Sequence, residues 1–476
     1  MGFYESIKDG NSSNFNNYRV SKFQHGFIYT WIVNINVMSR LAWGLLTFLF
    51  LTVDVGLLTS PVLAQSAEVK HLTVTSPEEV GLSSDRLIHL TREIDRNIRE
   101  GQLAGNVVLI ARDGKIAYLN AAGMQDLEEN IPMKENTIFR IASMTKPITT
   151  TAVMMLYEEG RFLLSDPVSK YIPAFEDVRV LADSENSPNS ELATVPAENP
   201  VTIRDLLTHT SGLAYHWNNR LGSIYNENGI THGLISDNDS LAVDIPKLAK
   251  LPLLHEPGEQ WTYGLSIDVL GYLIEVVSGM PLDQFFNTRI FKPLGMENTQ
   301  FHVSQEQESR LAAAYTVGDD GKLKRIDDEP VQGPGATKYA AYYPLNKNHR
   351  FLAGGAGLTS TVFDYYKFCQ MILNGGELNG TRLLSPKTVE LMTTDHVGDL
   401  LPNMGFGYGF GITRDLAEGG ELDSPGSFGW GSFWYGTFFI DPAENMIGIS
   451  IAQKHPAGGA TLNNKFGILA RQAIIE

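Results

Sequence analysis

The chain has 476 residues, of which 43% are hydrophobic and 19% are charged, and its formal net charge is −17 at pH 7. This length and composition are ordinary for a globular protein and suit one large domain or two intertwined ones. A surface this acidic repels phosphate backbones, which argues against nucleic acid as a partner. The single cysteine, Cys369, excludes an intrachain disulfide and is expected to be a small buried apolar group.

Residues 1–64 are expected to lie outside the folded domain. Residues 1–37 are polar and aperiodic, so Met38 is the expected start of translation. After it come Ser-Arg, an uncharged stretch over residues 41–53, and Val-Leu-Ala at residues 62–64, which is the layout of a secretory signal. The sequence therefore predicts an exported protein, periplasmic or extracellular in a bacterium. An uncleaved membrane anchor is the alternative, because apolar residues continue beyond the uncharged stretch.

The first secondary-structure signals after this leader are a helix and a hairpin. Residues 83–100 have the apolar period of an amphipathic helix that ends at Gly101. Apolar runs over residues 106–112 and 115–119 flank an Asp-Gly dipeptide, which is typical of tight hairpin turns. This part of the chain is therefore expected to contribute one helix and two paired strands.

The next element begins with Ser-Met-Thr-Lys at residues 143–146, ahead of an apolar run over residues 148–156. If this run is a helix, Ser143 and Lys146 lie about one turn apart on one face. A serine hydroxyl becomes a nucleophile when a base takes its proton, and a desolvated lysine that has lost its charge is such a base. Pro147 agrees with a first helical turn. The alternative is an ordinary helix start with a solvated lysine.

The middle of the chain is rich in predicted helices and loops. Residues 183–200 are polar and contain proline, which indicates an exposed insertion. Residues 216–240 and 317–350 also have the composition of loops, and such loops often border a substrate site. His209 is either a general base or a loop histidine that is hydrogen-bonded to the backbone. We favour the second interpretation and assign His209 no catalytic role.

Tyr263 precedes a predicted helix that begins with Ser266 as its N-cap and ends at Gly279. Asp268 is expected in the first turn, where the helix dipole favours a carboxylate. On a loop ahead of a buried helix, the Tyr263 hydroxyl could face a cleft, and a phenol beside a lysine can pass a proton to a leaving group. The alternative is a core tyrosine with one hydrogen bond.

The C-terminal part of the chain predicts a second hairpin, over residues 435–440 and 446–452, followed by a helix over residues 462–475. The residues just before this hairpin are Trp430, Gly431, Ser432 and Phe433. Small residues let a strand edge approach a ligand closely, so a backbone N–H here could hold an oxyanion together with the N–H of Ser143. The alternative is a glycine-rich turn that leads into a strand.

Hairpins and helices at both ends of the domain enclose a helical middle. This order predicts an α+β fold, with a mixed, mainly antiparallel β-sheet built from both chain ends, flanking helices and an inserted, mostly helical lobe. The expected sheet domain comprises residues 67–165 together with 352–476. The expected helical and loop-rich lobe comprises residues 166–351.

Five motifs follow one another in an order and at spacings that resemble the serine β-lactamase and penicillin-binding superfamily, in its class C branch. They are Ser-x-x-Lys at 143–146, His-Thr-Ser-Gly-Leu at 209–213, Tyr263 ahead of Asp-Val-Leu-Gly at 268–271, Gly-Ala-Gly-Leu at 355–358 with Ser-Thr at 360–361, and Asn-Gly-Gly at 374–376 with Leu-Leu-Ser-Pro at 383–386. The resemblance implies a β-lactamase/transpeptidase-like fold and an acyl-enzyme mechanism. In that mechanism Ser143 attacks, Lys146 activates it, Tyr263 relays protons, and water releases the acyl group.

Two positions depart from the class C pattern. Leu265 stands where these enzymes have asparagine, and Trp430-Gly431-Ser432 stands in place of a Lys-Thr-Gly triad. The lysine of that triad supplies a cation for the carboxylate of β-lactams and peptides, and tryptophan cannot pair with a carboxylate. Together with the dense aromatic residues over 428–439, these departures resemble the family VIII carboxylesterases, which mostly hydrolyse short-chain esters.

The sequence therefore predicts an exported serine hydrolase, a carboxylesterase acting on a small-molecule ester or amide without cofactor or metal. The 11 histidines include no His-Glu-x-x-His pair. No serine has glycine two residues before and two after it, which disfavours an α/β-hydrolase. Membrane contact is expected only through an uncleaved N-terminal segment. The alternatives are a class C-like β-lactamase or D-alanyl-D-alanine peptidase, and a non-catalytic penicillin-binding-like sensor.

Overall fold

In the computed structural model, which describes residues 74–182, 193–327, 329–419 and 421–476, both ends of the domain contribute to an eight-stranded antiparallel sheet. In chain order its strands are β1 (Gly105–Arg112), β2 (Lys115–Asp126), β3 (Ile131–Pro132), β4 (Gly405–Phe406), β5 (Gly411–Ile412), β6 (Phe428–Gly431), β7 (Gly436–Asp441) and β8 (Met446–Ile451). Their spatial order is β4-β5-β6-β7-β8-β1-β2-β3, so the C-terminal strand β8 pairs with the N-terminal strand β1. The predicted fold class is confirmed.

Helices cover both faces of this sheet. Those of the described residues are α1 (Ser84–Arg99), α2 (Thr145–Glu158), α3 (Ile203–Leu207), α4 (Gly222–Glu227), α5 (Leu241–Leu248), α6 (Ser266–Ser278), α7 (Leu282–Phe286), α8 (Lys292–Leu294), α9 (Val362–Leu373), α10 (Pro386–Met392), α11 (Leu416–Gly419) and α12 (Leu462–Arg471). Helices α1 and α12 pack together on one face of the sheet, and α9 packs on the other. Among the described residues, no helix combines the length and the apolar character that a membrane crossing requires.

The predicted domain division stays a prediction. Helices α3 to α8 fall within residues 166–351, the expected helical lobe, and Lys70–Glu476 form one compact unit. The extension and signal peptide predicted over residues 1–64 lie outside the described residues, as do residues 183–192 of the predicted insertion.

Strand β1 is apolar along most of its length because both of its faces are covered. Val107 and Leu109 face the core around α2 and α9, whereas Val108 and Ile110 face α1 and α12. Strand β2 extends past its predicted end at residue 119: residues 120–123 pair with β1, and Met124 and Asp126 pair with β3. Those residues are mostly small or polar and have low strand propensity, so pairing with a buried neighbour extends the strand.

Two predictions about the middle of the chain are corrected by the structure. Ser266 is not an N-cap: Leu265 occupies the N-cap position without a side-chain bond, and the buried Ser266 Oγ lies 2.9 Å from Ser211 Oγ. The segments 216–240 and 317–350 are not loops throughout. The first contains α4, and the second contains strands Leu323–Arg325, Val331–Gln332 and Lys338–Tyr339. These elements are too short for an apolar period to reveal them.

We predict a loss of stability in acid from four histidines, of which His216, His232 and His349 are buried and His455 is half-buried. Burial lowers the pKa of His216, His349 and His455 to about 4 and that of His232 to about 3. Below pH ~6.5 the unfolded chain therefore binds protons that the folded chain does not bind. The stability that these residues contribute is full above pH ~6.5 and is lost as the pH falls toward 4.

Urea unfolding between pH ~7 and pH ~4.5 measures this effect through the difference between variants. We expect the free energy of unfolding of His216→Asn to fall less steeply with decreasing pH than that of the wild type. His89→Asn, at an exposed position on α1, is the matched control and should keep the wild-type slope. Equal slopes in the wild type and His216→Asn would contradict the prediction.

Candidate active site

Ser143 lies in a 3-10 turn, Ala142–Met144, that runs directly into α2, so Lys146 stands in the first turn of the helix. The Nζ atom of Lys146 lies 3.2 Å from Ser143 Oγ and donates a hydrogen bond of 2.7 Å to the carbonyl of Gly355. Lys146 is fully buried (0% exposed), whereas Ser143 is half-buried. The expected nucleophile and the expected base are thus in direct contact, and the nucleophile is the more accessible of the two.

The backbone just before Ser143 is strained. Ala142 has a φ of 39°, a conformation that residues other than glycine rarely adopt. Such strain costs on the order of 1–3 kcal/mol and persists where the surrounding structure enforces it, commonly at active sites. Here strand Phe139–Arg140 pairs with Thr359–Ser360, and the N–H of Ile141 donates to the carbonyl of Leu358 at 3.0 Å. These backbone contacts with residues 358–360 therefore hold the turn that carries Ser143 in place.

Tyr263 lies over Lys146, as the sequence predicts, but its hydroxyl has an unexpected partner. The Lys146 Nζ atom is 4.6 Å from the centroid of the Tyr263 ring. The Tyr263 hydroxyl accepts a hydrogen bond of 3.0 Å from Nε1 of Trp430, and within the described chain it makes none to Ser143 or Lys146. The structure thus brings Ser143, Lys146, Tyr263 and Trp430 together in one cluster.

His209 fixes the loop that carries Tyr263. Its carbonyl accepts the N–H of Thr262 at 2.8 Å, its Nδ1 accepts the N–H of Gly264 at 3.4 Å, and its ring centroid is 4.8 Å from that of Tyr263. Burial lowers the pKa of His209 well below its usual range, and Lys146 in its protonated form lowers it further. His209 is therefore a neutral loop histidine that is bonded to the backbone, in agreement with the interpretation favoured from the sequence.

Sequence reasoning misses Tyr215. Its ring centroid lies 5.3 Å from Lys146 Nζ and 5.3 Å from the ring centroid of Tyr263, so it forms a second aromatic surface around the amine. Burial raises the pKa of Tyr215 well above its usual range, and the neighbouring Asp268 carboxylate raises it further. Tyr215 stands just before the predicted loop 216–240, and no apolar period marks it out.

The four residues expected to bind the oxyanion or the substrate divide into two groups. Trp430 and Gly431 end strand β6, which contacts the 3-10 turn that carries Ser143. The N–H of Ser432 donates to the carbonyl of Gly436 at 2.8 Å and is therefore not free to bind a ligand. The N–H of Phe433 donates to no other residue of the described chain. Phe433 therefore offers a backbone donor that no residue of the described chain occupies.

Five aromatic side chains, including Tyr263 and Trp430, form a continuous cluster that we call the aromatic wall. Its members are Trp217, Trp261, Tyr263, Phe406 and Trp430. Adjacent rings have centroids 5.2–6.3 Å apart, and all members except Phe406 are half-buried. Such a surface favours apolar groups. Within the described residues, no group of three or more His, Cys, Asp or Glu side chains is arranged to hold a metal ion.

Comparison with known proteins agrees with this arrangement. The Beta-lactamase family matches residues 90–472. The chain is 34% identical to esterase EstB of Burkholderia gladioli over 75% of its own length and 87% of EstB. It is 28% identical to a putative D-alanyl-D-alanine carboxypeptidase of Escherichia coli (strain K12), over 82% of this chain and 87% of the relative.

Solved structures agree as well. EstCE1, described as a hydrolase with promiscuous acyltransferase activity, superposes with a TM-score of 0.71 at 29% identity. The superposition covers 82% of this chain and 99% of EstCE1. The resemblance inferred from the five sequence motifs is confirmed. The chain therefore belongs to the β-lactamase family, and it is a serine hydrolase of that fold.

Proposed function

We propose that this enzyme is an exported carboxylesterase that hydrolyses small or short-chain esters through an acyl-enzyme on Ser143. The observation that carries the proposal is the hydrogen bond from Trp430 Nε1 to the Tyr263 hydroxyl, 3.0 Å long. The indole N–H of Trp430 is thus an uncharged donor at the position where a cation would be needed to bind the carboxylate of a β-lactam or peptide. The neighbouring aromatic wall favours substrates whose acyl and alcohol parts are apolar.

The acylation step follows from the contacts around Ser143. Its Oγ attacks the ester carbonyl carbon while its proton passes to Lys146 Nζ, 3.2 Å away. The N–H groups of Ser143 and Phe433 hold the negative oxygen of the tetrahedral intermediate. The proton then passes through the Tyr263 hydroxyl to the leaving alkoxide, the C–O bond breaks, and the alcohol departs.

Deacylation repeats these steps with water as the nucleophile. Water adds to the acyl carbon of the ester on Ser143 and gives a proton to Tyr263 or Lys146. The intermediate collapses, the bond to Ser143 Oγ breaks, and Oγ recovers a proton as the carboxylic acid leaves. The net reaction consumes one ester and one water and produces one acid and one alcohol.

Tyr263→Phe tests the proton relay. Removing the hydroxyl is expected to lower kcat for p-nitrophenyl butyrate by ~10²–10⁴-fold, because proton transfer to the leaving group is lost. The matched control is Tyr366→Phe on α9, whose hydroxyl donates to the carbonyl of Gly114 at 3.1 Å, away from the site. A Tyr263→Phe variant with the wild-type kcat would remove Tyr263 from the mechanism.

The choice between an esterase and a β-lactamase or D-alanyl-D-alanine peptidase is tested by substrate preference. We expect kcat/KM for p-nitrophenyl butyrate to exceed that for nitrocefin by at least ~10²-fold. The reason is that β-lactams and D-alanyl-D-alanine peptides carry a carboxylate that needs a cation, and Trp430 does not supply one. Trp430→Lys should narrow this ratio, since it adds the cation. Trp430→Phe is the matched control that removes the N–H donor without adding charge, and it should not improve nitrocefin turnover.

Three results would contradict the proposal. A wild-type preference for nitrocefin would identify the β-lactamase alternative, and a preference for a D-alanyl-D-alanine peptide would identify the peptidase. Stable covalent labelling of Ser143 without turnover of any of these substrates would identify a non-catalytic sensor. Export is tested by sequencing the N-terminus of the protein made in bacteria. We expect a secreted protein that begins just after residue 64. A membrane-bound protein with its N-terminal segment intact would instead indicate an uncleaved membrane anchor.

A further inference from the structure

Two motifs of the sequence, Asp-Val-Leu-Gly at 268–271 and Gly-Ala-Gly-Leu at 355–358, have no part in the mechanism above. We propose that the two motifs act together and that Asp268 is a positioning residue with two roles. It holds Gly355 against Lys146, and it supplies a buried negative charge that stabilises the protonated amine of Lys146. The proposal rests on the proposed function, because it concerns the base that activates Ser143.

Gly355 joins the carboxylate to the amine through its two main-chain groups. Its N–H donates to Asp268 Oδ1 at 3.0 Å, and its carbonyl accepts from Lys146 Nζ at 2.7 Å. Asp268 stands in the first turn of α6, and Lys146 stands in the first turn of α2. The two helices pack against each other. The position of the amine is therefore set by a carboxylate on a neighbouring helix.

The close approach requires glycine at residues 354 and 355. A Cβ atom at Gly355 would lie 2.7 Å from Asp268 Oδ2 and 3.1 Å from the Tyr215 hydroxyl. A Cβ atom at Gly354 would lie 2.6 Å from the carbonyl of Ile267. The distances of 2.7 and 2.6 Å are shorter than van der Waals contact permits, and the distance of 3.1 Å is tight. The glycines thus have a specific role, which is to let this segment pass between Lys146 and Asp268.

The carboxylate of Asp268 is costly to bury and is only half satisfied. The residue is 0% exposed, and its Oδ2 has no hydrogen-bond partner among the described residues. Burial raises the pKa of Asp268 to about 6, against the opposing effects of Lys146 in its protonated form and of the Gly355 N–H. A buried carboxylate without a full set of partners is destabilising, so a role at the site explains its presence better than stability does.

The titratable groups that face Asp268 come from three elements. Lys146 faces it from α2, and Tyr215 faces it from the segment after α3. From α5, Asp244 borders the same small void as Asp268, and Lys247 is 3.1 Å from Asp244. Burial raises the pKa of Asp244, and Lys247 opposes that rise. Of these groups, Lys146 is the cation that contributes to the pKa of Asp268.

The physical effect of Asp268 is on the charged state that forms during catalysis. When Ser143 gives up its proton, Lys146 becomes an ammonium ion inside the protein, where an isolated charge is unfavourable. A carboxylate in the same enclosed region stabilises that ion, and Gly355 keeps the amine aimed at Ser143. Asp268 therefore acts on the base as the third member of a catalytic triad acts on its histidine.

The test measures how fast a fluorophosphonate labels Ser143 between about pH 5 and about pH 8. In this reaction Oγ bonds to phosphorus, fluoride leaves, and the proton passes to Lys146, so the probe reports the activation of Ser143 without needing a cognate substrate. Asp268→Asn retains an oxygen that can accept the Gly355 N–H, while the other carboxylate oxygen becomes an amide NH2 and the negative charge is lost. We expect it to label ~10²-fold more slowly than the wild type at pH ~7.5, with kcat reduced and KM nearly unchanged for p-nitrophenyl butyrate.

The pH profile separates this role from a merely structural one. Protonation of Asp268 removes the counter-charge, so the wild-type labelling rate should fall as the pH drops through about 6. This inflection should be absent in Asp268→Asn and present in Asp244→Asn, the matched control at the other carboxyl group that borders the void. Labelling at the wild-type rate in Asp268→Asn, or persistence of the inflection there, would overturn the inference and leave the proposed function intact.

Two further outcomes keep the test decisive. If circular dichroism shows that Asp268→Asn does not fold, the pH profile of the wild-type labelling rate decides. A wild-type rate that is flat between about pH 5 and about pH 7 overturns the inference. An inflection that is also present in Asp244→Asn supports it. If the probe labels a serine other than Ser143 and p-nitrophenyl butyrate is not turned over, the proposed function itself fails.

Discussion

Replacement of Ser143 by alanine is expected to reduce ester turnover by ~10⁴-fold or more while the protein stays folded. Removal of the nucleophile leaves only substrate binding and the oxyanion donors, which account for a small part of the rate of such enzymes. Stability should change little, because Ser143 is half-buried and, among the described residues, its hydroxyl is in one hydrogen bond, which it accepts from Lys146. The measurement is kcat/KM for p-nitrophenyl butyrate together with the urea midpoint of both proteins.

A covalent adduct provides the independent check on Ser143. Fluorophosphonate treatment followed by peptide mapping should place the adduct on the peptide that contains Ser143 and leave Ser143→Ala unmodified. The matched control is Ser432→Ala, because Ser432 also lies at the site but its side chain accepts from the N–H of Trp434 at 3.1 Å. Ser432→Ala should still be labelled. Turnover by Ser143→Ala near the wild-type rate would refute the acyl-enzyme mechanism.

Replacement of Lys146 by methionine should lower kcat by ~10³-fold or more, because no other base contacts Ser143 Oγ within the described chain. Methionine approximates the length of the lysine side chain and fills the buried volume without an amine. The lost hydrogen bond leaves the Gly355 carbonyl unpaired, which costs about 1–3 kcal/mol. Lys146→Met should therefore be less stable than the wild type but still fold.

Lys454 offers a matched control for this substitution. It is also buried (3% exposed), and its Nζ donates to the carbonyl of Gln102 at 2.7 Å, so Lys454→Met loses the same kind of bond. We expect a comparable loss of stability and a kcat close to that of the wild type. If Lys454→Met lost as much activity as Lys146→Met, the effect of Lys146→Met would be one of folding and not of catalysis.

The nucleophile and base could be predicted from the sequence because their chemistry is local. Ser143 and Lys146 are three residues apart at the start of one helix, so helical geometry alone brings them together. The first hairpin is local in the same way, since an Asp-Gly turn fixes the pairing of its two strands. Tyr263 required the family resemblance, because nothing in its own segment relates it to Lys146.

The contacts that sequence reasoning missed all join distant parts of the chain. Trp430 and Tyr263 are 167 residues apart, and Gly355 lies 209 residues after Lys146. Their meeting depends on how the helices of the middle segment pack against the sheet, and no periodicity encodes that packing. The misassigned N-cap has the same origin, because a tertiary bond to Ser211 occupies the Ser266 hydroxyl that capping would otherwise use.

The pairing of β1 with β8 has a consequence for how the protein is made. Val107 pairs with Ile451. Strand β1 is made early, but its second edge stays unpaired until nearly the whole chain has been synthesised. Contacts between such distant residues slow folding. Until β8 has been synthesised, the nascent chain exposes the unpaired edge of β1, and such an edge is prone to aggregation. The hairpin of β1 and β2 can form early, but the sheet cannot be completed until β8 has been synthesised, and a chain that ends before residue 446 lacks the strand that fills this edge.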